Sequence, residues 1–100
     1  MSIREVIESP WEQGADEVRD YVLDTTPWGG SPSAPAVKLY DEGYDDVTAT
    51  KLTGTASVNG NTIVTPFVTG LGAGRTYRLE IKFTVDGRTE EAYGHIVCAL

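Results

Sequence analysis

Strict alternation of hydrophobic and polar positions dominates the last third of the chain. From Tyr77 to Val85 the apolar residues occupy every second position, and the residues between them are charged or Thr. A period of two places the apolar set on one face of a β-strand. The sequence therefore predicts a half-buried strand here, followed by an Asp86-Gly87 hairpin turn and a last strand over 88–100.

Shorter extended segments, separated by turn-forming residues, fill most of the remaining chain. Strands are expected over 18–23, 36–40, 47–52, 54–58 and 61–65. Asn59-Gly60 is a strong hairpin signal, because both central residues of a type I′ turn take positive φ. The Pro- and Gly-rich segment 24–35 cannot continue a ladder, so it is expected to be a long connection.

A glycine-rich corner precedes the alternating strand. In immunoglobulin-like sandwiches, a Tyr near the start of a late strand sends its hydroxyl back to the backbone of the preceding corner. Tyr77 is therefore expected to be largely buried, with its hydroxyl bonded to backbone near Gly74. We predict an all-β fold: a single antiparallel immunoglobulin-like or fibronectin-III-like β-sandwich over 18–100, after an extended N-terminal arm over 1–17.

Size and charge limit the possible partners. A chain of 100 residues suits one small core. The first fifty residues hold eleven Asp or Glu against three Lys or Arg, a net charge of −8, and the last fifty carry +1. An acidic surface repels phosphate backbones, so nucleic acid is not expected as a partner. No apolar stretch approaches the ~20 residues of a spanning helix, so no membrane contact is expected either.

Catalytic chemistry finds little support in the sequence. His95 and Cys98 are three residues apart on a predicted strand, which sends them to opposite faces rather than into a nucleophile–base pair. The glycine-rich segment 70–76 leads into a strand, whereas phosphate-binding loops work at a helix N-terminus. We expect no enzyme activity, no catalytic residue and no cofactor, and we expect Cys98 to fill the core.

Four carboxylates crowd the acidic loop, which we define as residues 41–46. Asp41, Glu42, Asp45 and Asp46 could offer oxygen ligands to a hard cation such as calcium. Their spacing lacks the alternation of an EF-hand loop. A solvated turn without a metal is the favoured interpretation, and a cation site is the alternative.

Trp11, Trp28 and Tyr44 are large aromatic residues in segments predicted to be irregular. Trp11 and Trp28 each sit beside Pro or Gly, and Tyr44 lies in the acidic loop. A Trp in such a position can plug the open end of a sandwich or meet a partner protein. Plugging the core is slightly favoured for the two Trp residues.

Several short segments together resemble small virion proteins of tailed bacteriophages, in particular phage fiber-tail adaptor proteins. They are Ser9-Pro10-Trp11, Thr25-Thr26-Pro27-Trp28-Gly29, Val37-Lys38-Leu39-Tyr40-Asp41, Asp46-Val47-Thr48 and the corner and strand from Leu71 to Phe83. The resemblance implies a non-catalytic structural protein, present in several copies, that joins tail, fiber or neck components. Its implied partners are other virion proteins and copies of itself, and its implied location is the virion, after assembly in the host bacterial cytoplasm.

The acidic N-terminal half is the expected assembly surface. Its predicted contact residues are Ile3, Val6, Trp11, Trp28, Asp41, Tyr44, Asp45 and Asp46. Residues 3–11 are expected to lie against a neighbouring subunit, and the loops against a partner carrying basic groups, whose charge would set register and encounter rate. The alternative function is a free-standing immunoglobulin-like module that binds carbohydrate or peptide through exposed Tyr and Trp.

Overall fold

The computed structural model describes residues 3–5 and 10–98. Strands form most of the regular structure within these ranges, so the predicted all-β class is confirmed. The strands are β1 (Ile3–Glu5), β2 (Trp11–Gln13), β3 (Val22–Asp24), β4 (Ser33–Tyr40), β5 (Leu52–Thr53), β6 (Ser57–Asn59), β7 (Thr62–Val64), β8 (Phe67–Val68), β9 (Thr76–Val85) and β10 (Arg88–Cys98). A 3-10 turn (Thr26–Trp28) and a helical turn, α1 (Thr48–Lys51), interrupt them.

The main sheet is built on the long hairpin of β9 and β10. β4 pairs antiparallel with the other edge of β9, and β1 and β2 both pair in parallel with β10. β1 lies along the middle of β10, and β2 lies along its end. The predicted alternation is confirmed, because every second residue from Tyr77 to Val85 is buried.

The described parts of the N-terminal segment belong to this sheet. They lie within the predicted arm over 1–17, and its division from a domain over 18–100 stays a prediction. Ile3–Glu5 and Trp11–Gln13 pair with β10 of the same chain. The physical reason is that an uncovered edge of β10 would leave a row of unpaired backbone groups. The expected contact of Ile3 with a neighbouring subunit stays a prediction. Val6 lies outside the described residues.

A second layer packs against the main sheet. β3, β7 and β6 form an antiparallel sheet, β5 pairs with β8, and a bridge between Arg19 and Val68 joins the two groups of strands. Both layers supply side chains to two apolar clusters, so they enclose a shared core. One cluster holds Leu23, Trp28, Ile63, Ile81, Phe83, Val85 and Ala92, and the other holds Tyr21, Leu39, Val68, Leu71, Tyr77, Leu79, Ile96 and Cys98. Cys98 is a core residue, as expected.

The extended structure predicted over 47–52 is wrong, because the structure has α1 there. Local side-chain bonds stabilise the turn: the Thr48 N–H donates to Asp46 Oδ1 at 2.9 Å, and the Leu39 N–H donates to the Thr48 hydroxyl at 2.9 Å. Such bonds compete with a strand ladder. The Val47 N–H also donates to the Leu39 carbonyl at 2.8 Å, so this segment covers part of the free edge of β4.

Both predicted hairpins form, but the first turn lies one residue later than expected. Asn59 pairs with Thr62, so the central residues are Gly60 and Asn61. Gly60 has φ +60°, and a positive φ at the first central position is typical of a type II′ turn. At the second hairpin Asp86 and Gly87 both have positive φ, as the type I′ prediction requires.

The predicted burial of Tyr77 and the bond from its hydroxyl to the glycine-rich corner are confirmed, and we call this arrangement the tyrosine corner. Tyr77 is 2% exposed. Its hydroxyl accepts a hydrogen bond from the Gly72 N–H at 2.7 Å. Gly74 has φ +78°, and its N–H donates to the Cys98 carbonyl at 2.8 Å, which ties the corner to the end of β10.

Replacing Tyr77 with Phe is expected to lower the free energy of unfolding by about 0.5–1.5 kcal/mol, because the partly buried Gly72 N–H loses its acceptor. Urea denaturation followed by circular dichroism measures the change. Tyr93→Phe, on the outer face of β10, is the matched control and should change stability by less than about 0.5 kcal/mol. Equal denaturation midpoints for Tyr77→Phe and wild type would show that the bond between the Tyr77 hydroxyl and the Gly72 N–H does not stabilise the fold.

Candidate functional site

The outer face of the main sheet carries a cluster of aromatic and cationic side chains. We call it the tyrosine–arginine face, and its members are Tyr40, Tyr44, Arg78, Tyr93 and His95. β4, β9 and β10 position four of them, and Tyr44 lies in the acidic loop that follows β4. Along β9 and β10 these residues alternate with core residues, so the sheet pleat directs them away from the interior.

Arg78 is the centre of the cluster. Its Cζ atom lies 4.1 Å from the centroid of the Tyr93 ring and 5.8 Å from that of Tyr44. The Tyr93 ring in turn meets His95 edge-on, with centroids 5.6 Å apart and an interplanar angle of 82°. A guanidinium over an aromatic ring is an attractive cation–π contact. The rings and the charge are therefore held in place before any partner arrives.

Tyr44 is the most exposed of these residues, at 60%. Its backbone has φ +65°, a left-handed conformation that is uncommon for a non-glycine residue. The Tyr44 N–H donates to the Asp41 carbonyl at 2.9 Å, and its ring lies 4.9 Å from that of Tyr40, centroid to centroid. Hydrogen bonding to Glu80, with a smaller effect of desolvation, raises the pKa of Tyr44 above its ordinary value.

Glu80 holds Tyr44 and Arg78 in one arrangement. Its Oε2 atom accepts the Tyr44 hydroxyl at 3.0 Å and lies 2.8 Å from Arg78 Nε. The Nε–H of Arg78 forms no hydrogen bond with Glu80 Oε2, so the contact between the two side chains is an ion pair. One carboxylate thus fixes the exposed phenol and the guanidinium relative to each other.

Two carboxylates of the acidic loop, Asp41 and Asp46, accept hydrogen bonds from residues close to them along the chain. Asp41 Oδ1 accepts the N–H groups of Gly43 at 2.9 Å and Asp45 at 3.0 Å. Hydrogen bonds from the side chain and backbone of Thr48 hold the pKa of Asp46 below its ordinary value. Among the residues described, no three His, Cys, Asp or Glu side chains converge as metal ligands.

An open groove of about 390 Å³ lies between the acidic loop and the strands β9 and β10. Its lining residues are Asp41, Glu42, Tyr44, Thr76, Tyr77, Arg78 and His95. The groove is lined by residues of both the acidic loop and the tyrosine–arginine face. It offers carboxylates, a guanidinium and aromatic surface to whatever binds there.

Comparisons with family models, curated proteins and solved structures found no match to this chain. Within residues 10–98, no helix is long and apolar enough to cross a membrane. What the site can do is therefore argued from its own geometry, which combines exposed aromatic surface with fixed charges of both signs.

The predicted contact residues fall into two groups. Tyr44 belongs to the tyrosine–arginine face, Asp41 lines the groove beside it, and Asp46 is bridged through its backbone to Tyr40. Asp45 lies in the same acidic loop. Trp28 instead lies in the core, 8% exposed and edge-on to Phe83 with centroids 5.6 Å apart. Its ring fills the interior, which agrees with the first of the two predicted roles. We therefore do not include Trp28 in the contact surface.

Trp11 packs against side chains of the same chain. Its ring lies 4.6 Å from that of Tyr21, centroid to centroid, and it packs against both core clusters. Trp11 is only half-buried, so it lies at the border of the core rather than in its centre. The predicted contact of Trp11 with a partner stays a prediction.

Sequence reasoning missed Arg78, Tyr93 and His95 as site residues. Alternation predicts that Arg78 faces away from the core, but it does not give the neighbours across the sheet. The register supplies them: Arg78 is paired with His95 on one side and Tyr40 on the other. Cross-strand pairs of this kind are set by hairpin and crossover geometry, which lies beyond any local pattern.

Acidification is expected to destabilise the acidic loop through Asp46. A lowered folded-state pKa contributes stability above the unfolded value and loses it as the pH falls through the folded value. Urea midpoints measured from neutral to acidic pH should fall less steeply for Asp46→Asn than for wild type. Val58→Thr, on a different sheet and without a titratable side chain, is the control and should keep the wild-type slope. Identical slopes for all three proteins would contradict this role of Asp46.

Proposed function

We propose that the protein is a non-catalytic structural subunit of a tailed-phage virion, which joins tail, fiber or neck components through protein–protein contacts. The tyrosine–arginine face is its proposed contact surface. The observation that carries this proposal is the exposed Tyr44 ring, held beside Arg78 by Glu80.

The chemistry of this face is that of a protein interface. Tyr and Arg are among the residues that dominate binding energy at interfaces, where their large surfaces and directional donors act together. Stacking of Arg78 on Tyr93 fixes two side chains in advance. Binding then costs less conformational entropy, because these side chains need not be ordered by the partner.

The virion assignment is supported by the segments that resemble fiber-tail adaptor proteins. The strand from Leu71 to Phe83 among them carries Arg78 and Glu80, and Tyr44 lies between two others, Val37–Asp41 and Asp46–Thr48. We further propose that the fold is immunoglobulin-like. Two packed β-layers and the tyrosine corner at Tyr77 support this finer assignment.

Charge gives the proposed partner a chemical character. Asp41 and Glu42 line the groove beside the tyrosine–arginine face, and Asp45 and Asp46 add two more carboxylates to the same acidic loop. A partner carrying Lys or Arg opposite this loop would be attracted over a distance of about a Debye length and oriented on arrival. Such charges favour the encounter and the register of the complex more than its final affinity.

The proposal is tested by incorporation into particles. In the phage that encodes the chain, a Tyr44→Ala, Arg78→Ala variant should be depleted from purified particles, as measured by quantitative mass spectrometry. Val58→Thr is the matched surface control, because Val58 is exposed on the other sheet. Circular dichroism must first show that both variants fold. Wild-type occupancy of the Tyr44→Ala, Arg78→Ala variant would contradict the proposal.

The groove supports a second candidate, a module that binds a carbohydrate or a peptide. Tyr44 offers a ring face, and Asp41, Arg78 and His95 offer polar contacts within the same groove of about 390 Å³. NMR titration of the free protein with an oligosaccharide mixture separates the two functions. Saturable shifts at the groove of a monomeric protein that is absent from particles would favour the binding module.

A further inference from the structure

The outer face of the second layer exposes apolar residues. Val18, Val22 and Phe67 are 60%, 53% and 49% exposed. The outer face of the main sheet is different, since charged and Tyr side chains dominate it. We call Val18, Val22, Val64 and Phe67 the valine–phenylalanine stripe.

Backbone pairing places these four residues on neighbouring strands, on the same face of the second layer. Arg19 and Val68 exchange two hydrogen bonds, of 3.2 and 2.7 Å, and Val22 is paired with Val64. Val68 is fully buried, so the next residue of that strand, Phe67, points to the outer face. Val18 and Val22 flank Asp20 at a spacing of two on each side, which puts all three on that face.

Charge around the stripe has one predominant sign. Over residues 16–24 the charged residues are Asp16, Glu17, Arg19, Asp20 and Asp24, four acidic and one basic. β6, β7 and β8 contain no charged residue. Two copies of the chain that met through this face would therefore bring like charges together, which disfavours a second copy as the occupant.

We infer that the valine–phenylalanine stripe docks a segment of a different protein in which apolar residues alternate with Lys or Arg. The apolar side chains of such a segment would cover Val22 and Phe67, and its cations would face Asp20 and its neighbours. Contiguous exposed apolar surface with a polar border is typical of protein-binding sites.

The inference deepens the proposed function and rests on it, because a joining subunit needs two surfaces. The two layers share a core, so their outer faces point in opposite directions. Tyr44 and Arg78 lie on one of these faces, and Val22 and Phe67 lie on the other. One component can therefore bind each face at the same time.

The test uses the full chain and a synthetic peptide of about five Lys-Val repeats as the probe. NMR titration should give saturable shifts within 18–24 and 62–68. A Val22→Thr, Phe67→Thr variant should bind about tenfold more weakly, because it loses two apolar contacts while keeping the strand-forming shape. Asp20→Asn should also weaken binding and should reduce its dependence on salt.

Two controls make the test decisive. Val58→Thr, outside the stripe, should bind like wild type, and a peptide with Glu in place of Lys should not bind. Shifts confined to the acidic loop, or equal binding of both peptides, would overturn the inference. A dimer that is abolished by Phe67→Thr would assign the stripe to a second copy and would overturn it too. None of these outcomes bears on the proposed function, which is judged by Tyr44 and Arg78 in particles.

Discussion

Replacing Trp28 with Ala is expected to lower the free energy of unfolding by about 3–5 kcal/mol, the usual cost of truncating a large buried aromatic residue. The ring lies in one core cluster with Leu23, Ile63 and Phe83, and its edge-on contact with Phe83 is lost with it. Small domains have only about 5–15 kcal/mol of stability in total. The variant is therefore expected to be marginally folded.

Urea denaturation followed by circular dichroism measures this effect, and Trp11→Ala is the matched control. Trp11 is half-buried, so its truncation should cost clearly less. A wild-type midpoint for Trp28→Ala would mean that the ring does not fill the core. The result also decides how assembly data are interpreted, since a particle defect in Trp28→Ala would report lost folding rather than a lost contact.

Replacing Gln13 with Ala is expected to cost about 2–4 kcal/mol, because this buried amide serves several core groups at once. Its Nε2 donates to the Val68 carbonyl at 2.7 Å and to the Glu17 carbonyl at 3.0 Å. Its Oε1 accepts the Tyr21 hydroxyl at 2.7 Å. Burial raises the pKa of Tyr21, which keeps this hydroxyl protonated as the donor.

A double-mutant cycle isolates the contact between Gln13 and Tyr21. Gln13→Ala leaves the buried Tyr21 hydroxyl without its acceptor, whereas Gln13→Ala combined with Tyr21→Phe removes both groups. The second change should recover about 1–2 kcal/mol of the loss, since no polar group is then stranded there. Strict additivity of the two single changes would show that the hydroxyl does not depend on Gln13.

The parts of the fold that the sequence predicted are those set by local patterns. Alternation over 77–85 placed β9 and its buried face correctly, because a period of two follows from the pleat of a strand. The Asp86-Gly87 turn was predicted because few residues other than Gly, Asn or Asp tolerate positive φ. Tyr77 was predicted from its position at the start of the strand that follows the glycine-rich corner.

The errors arose where distant or competing bonds decide the structure. β-branched residues over 47–52 favour a strand, but Asp46 and Thr48 offer the backbone local partners and a helical turn forms instead. No pattern in the N-terminal segment predicts parallel pairing with β10, whose paired residues lie 85 to 88 positions later in the chain.

The residues of the candidate site also divide into those that a local pattern predicts and those that only distant contacts bring together. Tyr44 was predicted because it is an aromatic residue in an acidic loop, which the sequence makes visible. Arg78 and Tyr93 became site residues only through the cross-strand register that stacks one on the other. Trp28 was ambiguous from the sequence, because Trp is common both in cores and at interfaces.

Hydroxyl-radical footprinting of Tyr44 and Tyr93, in the free protein and in purified particles, tests whether another virion protein covers the tyrosine–arginine face. We expect both rings to be oxidised in the free protein and protected in particles, while the exposed Phe67 serves as an independent probe of the other face. Equal oxidation of Tyr44 and Tyr93 in both states, or absence of the protein from particles, would contradict the proposed contact surface.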